Sequence, residues 1–124
     1  RAKERLGEKA TLVSWIVSDV LDFIPDRSYD IWHDRAAFHF LTSKNQIDTY
    51  ISLTQKFVSR NLIIGAFSDN GPLKCSGLEI TQYSKNKMSE AFNAGFESIK
   101  CIRETHQTPF KTTQDFVFCS FKKR

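Results

Sequence analysis

The short apolar run Leu62 to Phe67 (LIIGAF) decides the fold class of this sequence. A strand with one solvent-facing side alternates apolar and polar residues, whereas a continuous apolar run is typical of a strand covered on both faces. A strand that is buried on both faces needs helices on both sides of its sheet. The run therefore predicts an α/β sheet.

Helical patterns precede and follow this run. Before it, Lys44 to Ser59 carries apolar residues mostly at spacings of three and four, and Ser43 with Gln46 has the form of a capping box that begins a helix. Asn61 can end this helix, because asparagine tolerates the left-handed conformation. After the run, Ser84 is placed to cap a second helix. Both helices fit the α/β interpretation.

Strand patterns lie outside the helices. Thr11 to Val17 and Tyr29 to Trp32 predict two strands, the second of which turns polar at His33 to Arg35. Phe96 to Arg103 and Gln114 to Phe121 predict a terminal hairpin, and the last strand should lie inside the sheet because both of its faces are apolar. The alternation predicts one α/β domain, with a mostly parallel sheet, an antiparallel last strand and helices on both faces.

Composition excludes several classes of protein. The chain has 124 residues, of which 40% are apolar and 26% charged, and no apolar run approaches the roughly 20 residues that cross a bilayer, so we expect no membrane association. The net charge of +4 is spread along the chain, which argues against a nucleic-acid partner. Cys75, Cys101 and Cys119 are odd in number and widely spaced, which predicts a reducing, cytoplasmic setting with Cys101 and Cys119 as free, buried thiols.

The end of the first predicted strand is a candidate ligand site. Open α/β sheets bind ligands beyond the carboxyl ends of their strands. Asp19 and the Val20 amide are placed to recognise an adenine edge, because the carboxylate accepts a hydrogen bond from the exocyclic amine and the amide donates one to a ring nitrogen. The alternative is that Asp19, and still more Asp22, only caps a turn.

The end of the second predicted strand concentrates ionisable residues among apolar ones. Asp34 and Arg35 predict either a structural ion pair or an Arg35 that reaches a ligand carboxylate with its bidentate fork. His39 is either a general base near neutral pH or a structural histidine. The sequence contains no GxSxG, HExxH or P-loop pattern and no recognised metal spacing, so hydrolase and metalloenzyme functions are poorly supported.

The segments Tyr29 to Leu41 (YDIWHDRAAFHFL) and Ser18 to Pro25 (SDVLDFIP), with Asn70-Gly71-Pro72, resemble class I S-adenosylmethionine-dependent methyltransferases, and most nearly the thiopurine-methyltransferase-like group. The resemblance covers nearly all of residues 1–124. It implies a single, partial Rossmann-like methyltransferase domain, without the family's first strand and GxGxG-type loop and without its second strand and ribose-binding acidic residue. On this resemblance, the piece alone should bind cofactor poorly and be inactive.

The resemblance also implies residue roles. The residues expected to contact S-adenosylmethionine are Asp19, Val20, Leu21 and Arg35, with Arg35 at the amino-acid end of the cofactor. Asp34 and His39 are expected to border the methyl-transfer site as catalytic residues. Two departures from the family pattern are an extra residue, His33, before Asp34, and Arg60-Asn61 where Gly-Gly is often found.

The expected function is methyl transfer to a small-molecule acceptor, with sulfur, oxygen and nitrogen acceptors all open. A protein-lysine methyltransferase on the same fold is one alternative. Another is a non-catalytic α/β interaction module that has lost its cofactor-binding half. A nicotinamide-binding domain is disfavoured, because its glycine fingerprint and downstream acidic residue are missing. The sequence predicts no oligomeric state.

Overall fold

The computed structural model of the chain describes residue 7 and residues 20–35, 37–69, 73–75, 78–107, 109 and 113–124. The predicted strand Thr11 to Val17, Asp19 and the Asn70-Gly71-Pro72 motif lie outside the described residues. The helices and strands are β1 Tyr29–Arg35, α1 Lys44–Phe57, β2 Val58–Phe67, β3 Lys74–Cys75, β4 Leu78–Glu79, α2 Lys85–Ala91, β5 Phe96–Gln107 and β6 Thr113–Lys123. Within these ranges no helix is both long enough and apolar enough to cross a membrane.

Four of the strands form one sheet in the order β1-β2-β6-β5. β1 and β2 are parallel, while β6 is antiparallel to both of its neighbours, β2 and β5. β1, β2 and β5 therefore run in one direction, and β6 runs against them from inside the sheet. This confirms the predicted α/β sheet with an antiparallel last strand inside it, while among the described strands one neighbouring pair, β1 with β2, is parallel and two are antiparallel. β3 and β4 form a separate two-stranded ribbon, which the sequence did not predict.

The start of α1 is as predicted, but its end is not. The capping box forms, since the Gln46 amide donates to Ser43 Oγ at 3.2 Å and the Ser43 amide donates to Gln46 Oε1 at 3.3 Å. The prediction that Asn61 ends this helix is wrong, because β2 begins directly after α1 and contains Asn61. Pairing of Val58 with Tyr29 across the sheet extends the strand toward the helix.

An aromatic cluster fills the face of the sheet that α1 and α2 cover. The Phe38 ring is 4.8 Å from Tyr50 of α1, and 5.1 Å from both Tyr83 and Phe92, which follows α2. Leu62, Ile64 and Ala66 present the same side of β2 to this cluster, and all are fully buried. Because α1 and α2 share this face, the helices expected on the other face remain a prediction.

Cys101 and Cys119 correct one expectation from the sequence. They are direct cross-strand partners in β5 and β6, with Cα atoms 4.1 Å apart, and they form a disulfide. The prediction that both thiols are free is therefore wrong. A separation of 18 residues carried no signal for pairing, because only the register of the hairpin places the two side chains opposite each other. The cytoplasmic setting inferred from the cysteines remains a prediction.

Candidate functional site at the carboxyl edge of the sheet

The carboxyl ends of β1 and β2 lie at one edge of the sheet, which we call the carboxyl edge. Parallel pairing places Arg35, the last residue of β1, opposite Gly65 near the end of β2. A short 3-10 helix, Phe38–Phe40, follows β1 at this edge, and Ser68 bridges to Tyr83 just beyond β2. The backbones of the predicted site residues Asp34, Arg35 and His39 thus lie at this edge.

Asp34 is buried, and its carboxylate holds the turn after β1. Oδ1 accepts the Ala37 amide at 2.7 Å, while Oδ2 accepts the Phe38 amide at 3.0 Å and the Tyr50 hydroxyl. The indole nitrogen of Trp32 donates to the same Tyr50 hydroxyl at 2.9 Å. Burial, together with the negative charge of Asp34, raises the pKa of Tyr50 well above its ordinary value, so the hydroxyl stays protonated as a donor. Both oxygens of Asp34 are therefore engaged within the fold.

Arg35 lies next to Asp34 but points the other way, because successive side chains of a strand alternate between faces. It is exposed, and in the part of the chain that the structure describes its guanidinium forms no hydrogen bond or ion pair. The structural ion pair with Asp34 that the sequence left open is not formed. Arg35 thus presents, at the carboxyl edge, a planar cationic donor fork that no described residue pairs.

His39 is fully buried between the rings of Phe40 and Phe67, each 4.7 Å from the imidazole centre. Nδ1 accepts the Phe67 amide at 3.0 Å, so the ring proton lies on Nε2, which has no partner among the described residues. Burial lowers the pKa of His39 to about 4, which keeps the ring neutral near pH 7. In this tautomer no lone pair is available to take a proton from a substrate. The backbone oxygen of His39 accepts the Thr81 amide at 2.7 Å and so ties the 3-10 helix to the segment before α2.

His39 should make stability depend on pH. Its folded-state pKa lies below the ordinary 6.5, so its contribution is present above pH 6.5 and is lost as the pH falls toward 4. We expect a loss of about 3 kcal/mol over this window. Urea unfolding at a series of pH values should show a shallower slope for His39→Asn, which keeps an acceptor near the Phe67 amide but does not titrate. A slope for His39→Asn equal to that of the unmodified chain would contradict the assignment.

The predicted adenine-binding residues are only partly described. Asp19 lies outside the described residues. Val20 and Leu21 lie in a turn before β1, where both are half-buried and pack against the aromatic cluster. Their role as a cofactor wall remains a prediction.

A polar cleft lies beyond the end of β2, where the sequence indicated a functional loop from Ser68 to Tyr83 but gave no sign of Arg103. The cleft has a volume of about 350 Å³, and its walls include Ser68, Asp69, Tyr83 and Arg103. Arg103 contacts Asp115, to which Ser68 Oγ donates at 2.7 Å. The hydrogen bond from Arg103, with smaller help from Ser68, holds the pKa of the Asp115 carboxyl below its ordinary value. Asp115 stands before the apolar run of β6, but only the hairpin register brings it to Arg103.

A larger cleft, of about 530 Å³, runs along α1 between Ile24 and Leu53. Among the described residues, none of those at the strand ends lines it. Its walls are side chains of α1 and Ile24, which is 81% exposed. We therefore place the candidate site at the carboxyl edge, where ligands of open α/β sheets bind, and not at the larger opening.

No family model and no curated protein matches the sequence. Solved structures do match the fold. The N-methyltransferase NodS from Bradyrhizobium japonicum WM9, in complex with S-adenosyl-L-homocysteine, aligns over 98% of this chain and 61% of its own, with a TM-score of 0.71 and 16% identity. The chain thus spans less than two thirds of the length of this neighbour.

Two further methyltransferase structures also align over nearly all of this chain and about half of their own length. The 1,6-didemethyltoxoflavin-N1-methyltransferase from Burkholderia thailandensis aligns over 98% of this chain and 54% of its own, with a TM-score of 0.71 and 15% identity. The magnesium protoporphyrin IX methyltransferase from Synechocystis PCC 6803 aligns over 99% and 54%, with a TM-score of 0.65 and 12% identity. The closer likeness to the thiopurine-methyltransferase-like group remains a prediction. The chain has the Rossmann-like α/β fold of its structural neighbours, the class I S-adenosylmethionine-dependent methyltransferases.

Proposed function

We propose that the complete protein transfers a methyl group from S-adenosylmethionine to a small-molecule acceptor. The observation that carries this proposal is the guanidinium of Arg35, which no described residue pairs, at the carboxyl edge of a methyltransferase-type sheet. A fold of this kind hosts many functions, so the residues at the edge must supply the argument for chemistry. Support for the cofactor comes also from neighbours solved with S-adenosylmethionine or S-adenosylhomocysteine.

The residues present fit the cofactor at two points. Arg35 offers a planar, bidentate donor to the carboxylate of the amino-acid end. Val20 and Leu21, half-buried and apolar, offer a wall to the adenine, with the Asp19 carboxylate as acceptor for its exocyclic amine. The cofactor would supply a methyl group bound to a positively charged sulfur. The acceptor atom would bond to the methyl carbon, in line with the carbon–sulfur bond that breaks, and the sulfur would leave as part of S-adenosylhomocysteine. The protein's task in such a reaction is to position both partners and exclude water.

We assign Asp34 and His39 positioning roles in place of acid-base catalysis. The two carboxylate oxygens of Asp34 accept hydrogen bonds from three donors. The Nδ1 lone pair of His39, which a general base would use, accepts the Phe67 amide. Together they fix the turn that follows Arg35 and bind it to the end of β2. This arrangement stabilises the geometry of the carboxyl edge before any ligand arrives.

The polar cleft beyond β2 is the proposed acceptor site. Its volume of about 350 Å³ suits a small molecule, since ligand pockets usually measure roughly 300–1,000 Å³. The exposed side chains of Asp69, Lys85 and Asn86 line it, which favours a polar acceptor. Two of the neighbours act, by name, on nitrogen, and this supports a nitrogen acceptor over sulfur or oxygen.

Arg35→Lys tests the cofactor site. Lysine keeps the charge but loses the fork, so we expect S-adenosylhomocysteine to bind about tenfold more weakly or worse in the protein expressed from its complete reading frame. Asp19→Ala should weaken binding by a similar factor. Arg60→Lys is the matched control, because Arg60 is exposed near the opposite end of β2. Equal calorimetric dissociation constants for Arg35→Lys and Arg60→Lys would remove Arg35 from the site.

A further inference from the structure

β5 is a long strand at the edge of the sheet. It runs for 12 residues, and within the described ranges β6 is its neighbour on one side while no strand lies on the other. All of its side chains are exposed except Phe96, which is buried, and Cys101, which is half-buried. An edge of this kind presents a row of backbone donors and acceptors that can pair with another strand.

An apolar row crosses the sheet and reaches this edge. The Phe118 ring of β6 lies over Gly65, so closely that a Cβ at Gly65 would clash with it. On its other side Phe118 is paired with Ile102 of β5, which is 42% exposed. The row Gly65, Phe118, Ile102 therefore ends in an exposed isoleucine on the outermost strand. The exposed end of this row leaves apolar surface against which the apolar row of a second sheet could pack.

We propose that a second copy of this chain adds its β5 antiparallel to this edge, with the two-fold axis at Ile102. The two Ile102 side chains then face each other and join the apolar rows of the two sheets. Lys100 lies opposite Glu104 of the second copy, and Glu104 lies opposite Lys100, so the symmetry forms two ion pairs.

Other features of β5 select this register. An axis one residue later would place two Arg103 guanidinium groups opposite each other, and an axis at Glu104 would oppose two carboxylates. The irregular pairing of β5 with β6 lies between Ser98 and Lys100, outside the central segment 100–104 that forms the interface. The complementary charges of Lys100 and Glu104 therefore lie on the regularly paired part of the strand.

Charge swaps test the interface. Sedimentation of the unmodified chain over a range of concentrations should show reversible association to twice its mass of 14.3 kDa. Lys100→Glu and Glu104→Lys each place like charges opposite each other, and each should weaken association at least tenfold. The double variant restores both pairs and should dimerise like the unmodified chain. Because these side chains are exposed, circular dichroism should show each variant folded.

Lys85→Glu serves as a control with the same change of charge, on an exposed residue at the start of α2. It should leave association as it is. A chain that sediments as a monomer at every concentration overturns the proposal. So does a dimer that survives both single swaps, or one that the double variant fails to restore.

Discussion

Asp34→Ala is expected to lower the free energy of unfolding by about 3–5 kcal/mol. The change leaves the Phe38 amide and the Tyr50 hydroxyl without their acceptor in a buried place, and it also removes the acceptor of the more exposed Ala37 amide. Each stranded donor costs about 1–3 kcal/mol, so the sum exceeds what a surface carboxylate contributes. Urea unfolding of the two proteins at one pH measures the difference.

Asp30→Ala is the matched control for this prediction. Asp30 is an exposed carboxylate in the same strand, with Ser59 Oγ at 3.0 Å. Its removal should change stability by less than about 1 kcal/mol. Tyr50→Phe, combined with Asp34→Ala, should show strong coupling, because each change removes the same hydrogen bond. Equal effects of the Asp34 and Asp30 changes would mean that Asp34 does not hold the turn.

Phe38→Ala is expected to cost a similar amount, about 3–5 kcal/mol. Phe38 is fully buried and contacts the rings of Tyr50, Tyr83 and Phe92, which come from three separate segments of the chain. Its loss opens a cavity at the centre of the aromatic cluster. Phe40→Ala, two residues away in a half-buried position, should cost clearly less in the same thermal or urea unfolding. A loss below about 1 kcal/mol for Phe38→Ala would contradict the central place given to this ring.

The fold was predictable from sequence wherever local chemistry decides it. The capping box of Ser43 and Gln46 marks the start of α1, and the Ser84 cap marks the start of α2. The apolar runs of β2 and β6 identify both as interior strands. Where the sequence-based prediction of an element's bounds was wrong, hydrogen bonding between strands decided the bounds. β2 extends back to Val58 because β1 lies beside it, and β5 extends to Gln107 because β6 continues to pair with it.

The sequence indicated where the candidate site residues lie, but not which of them are buried in the fold and which are exposed to a ligand. Polar residues after an apolar strand indicated the carboxyl edge, and Arg35 and His39 lie there. Asp34 and Arg35 are neighbours in sequence, yet the alternation of a strand buries one and exposes the other. No local pattern indicated that Tyr50, 16 residues away, would engage Asp34. The cleft with Arg103 and Asp115 depends likewise on hairpin register, which the sequence does not encode locally.

The most direct test of the central claim is a calorimetric titration of S-adenosylhomocysteine into the protein expressed from its complete reading frame. We predict saturable binding of one ligand per chain, with Arg35→Lys weakening it and Arg60→Lys leaving it unchanged. Absence of binding in a folded protein would contradict the methyltransferase assignment, whatever the likeness of the fold.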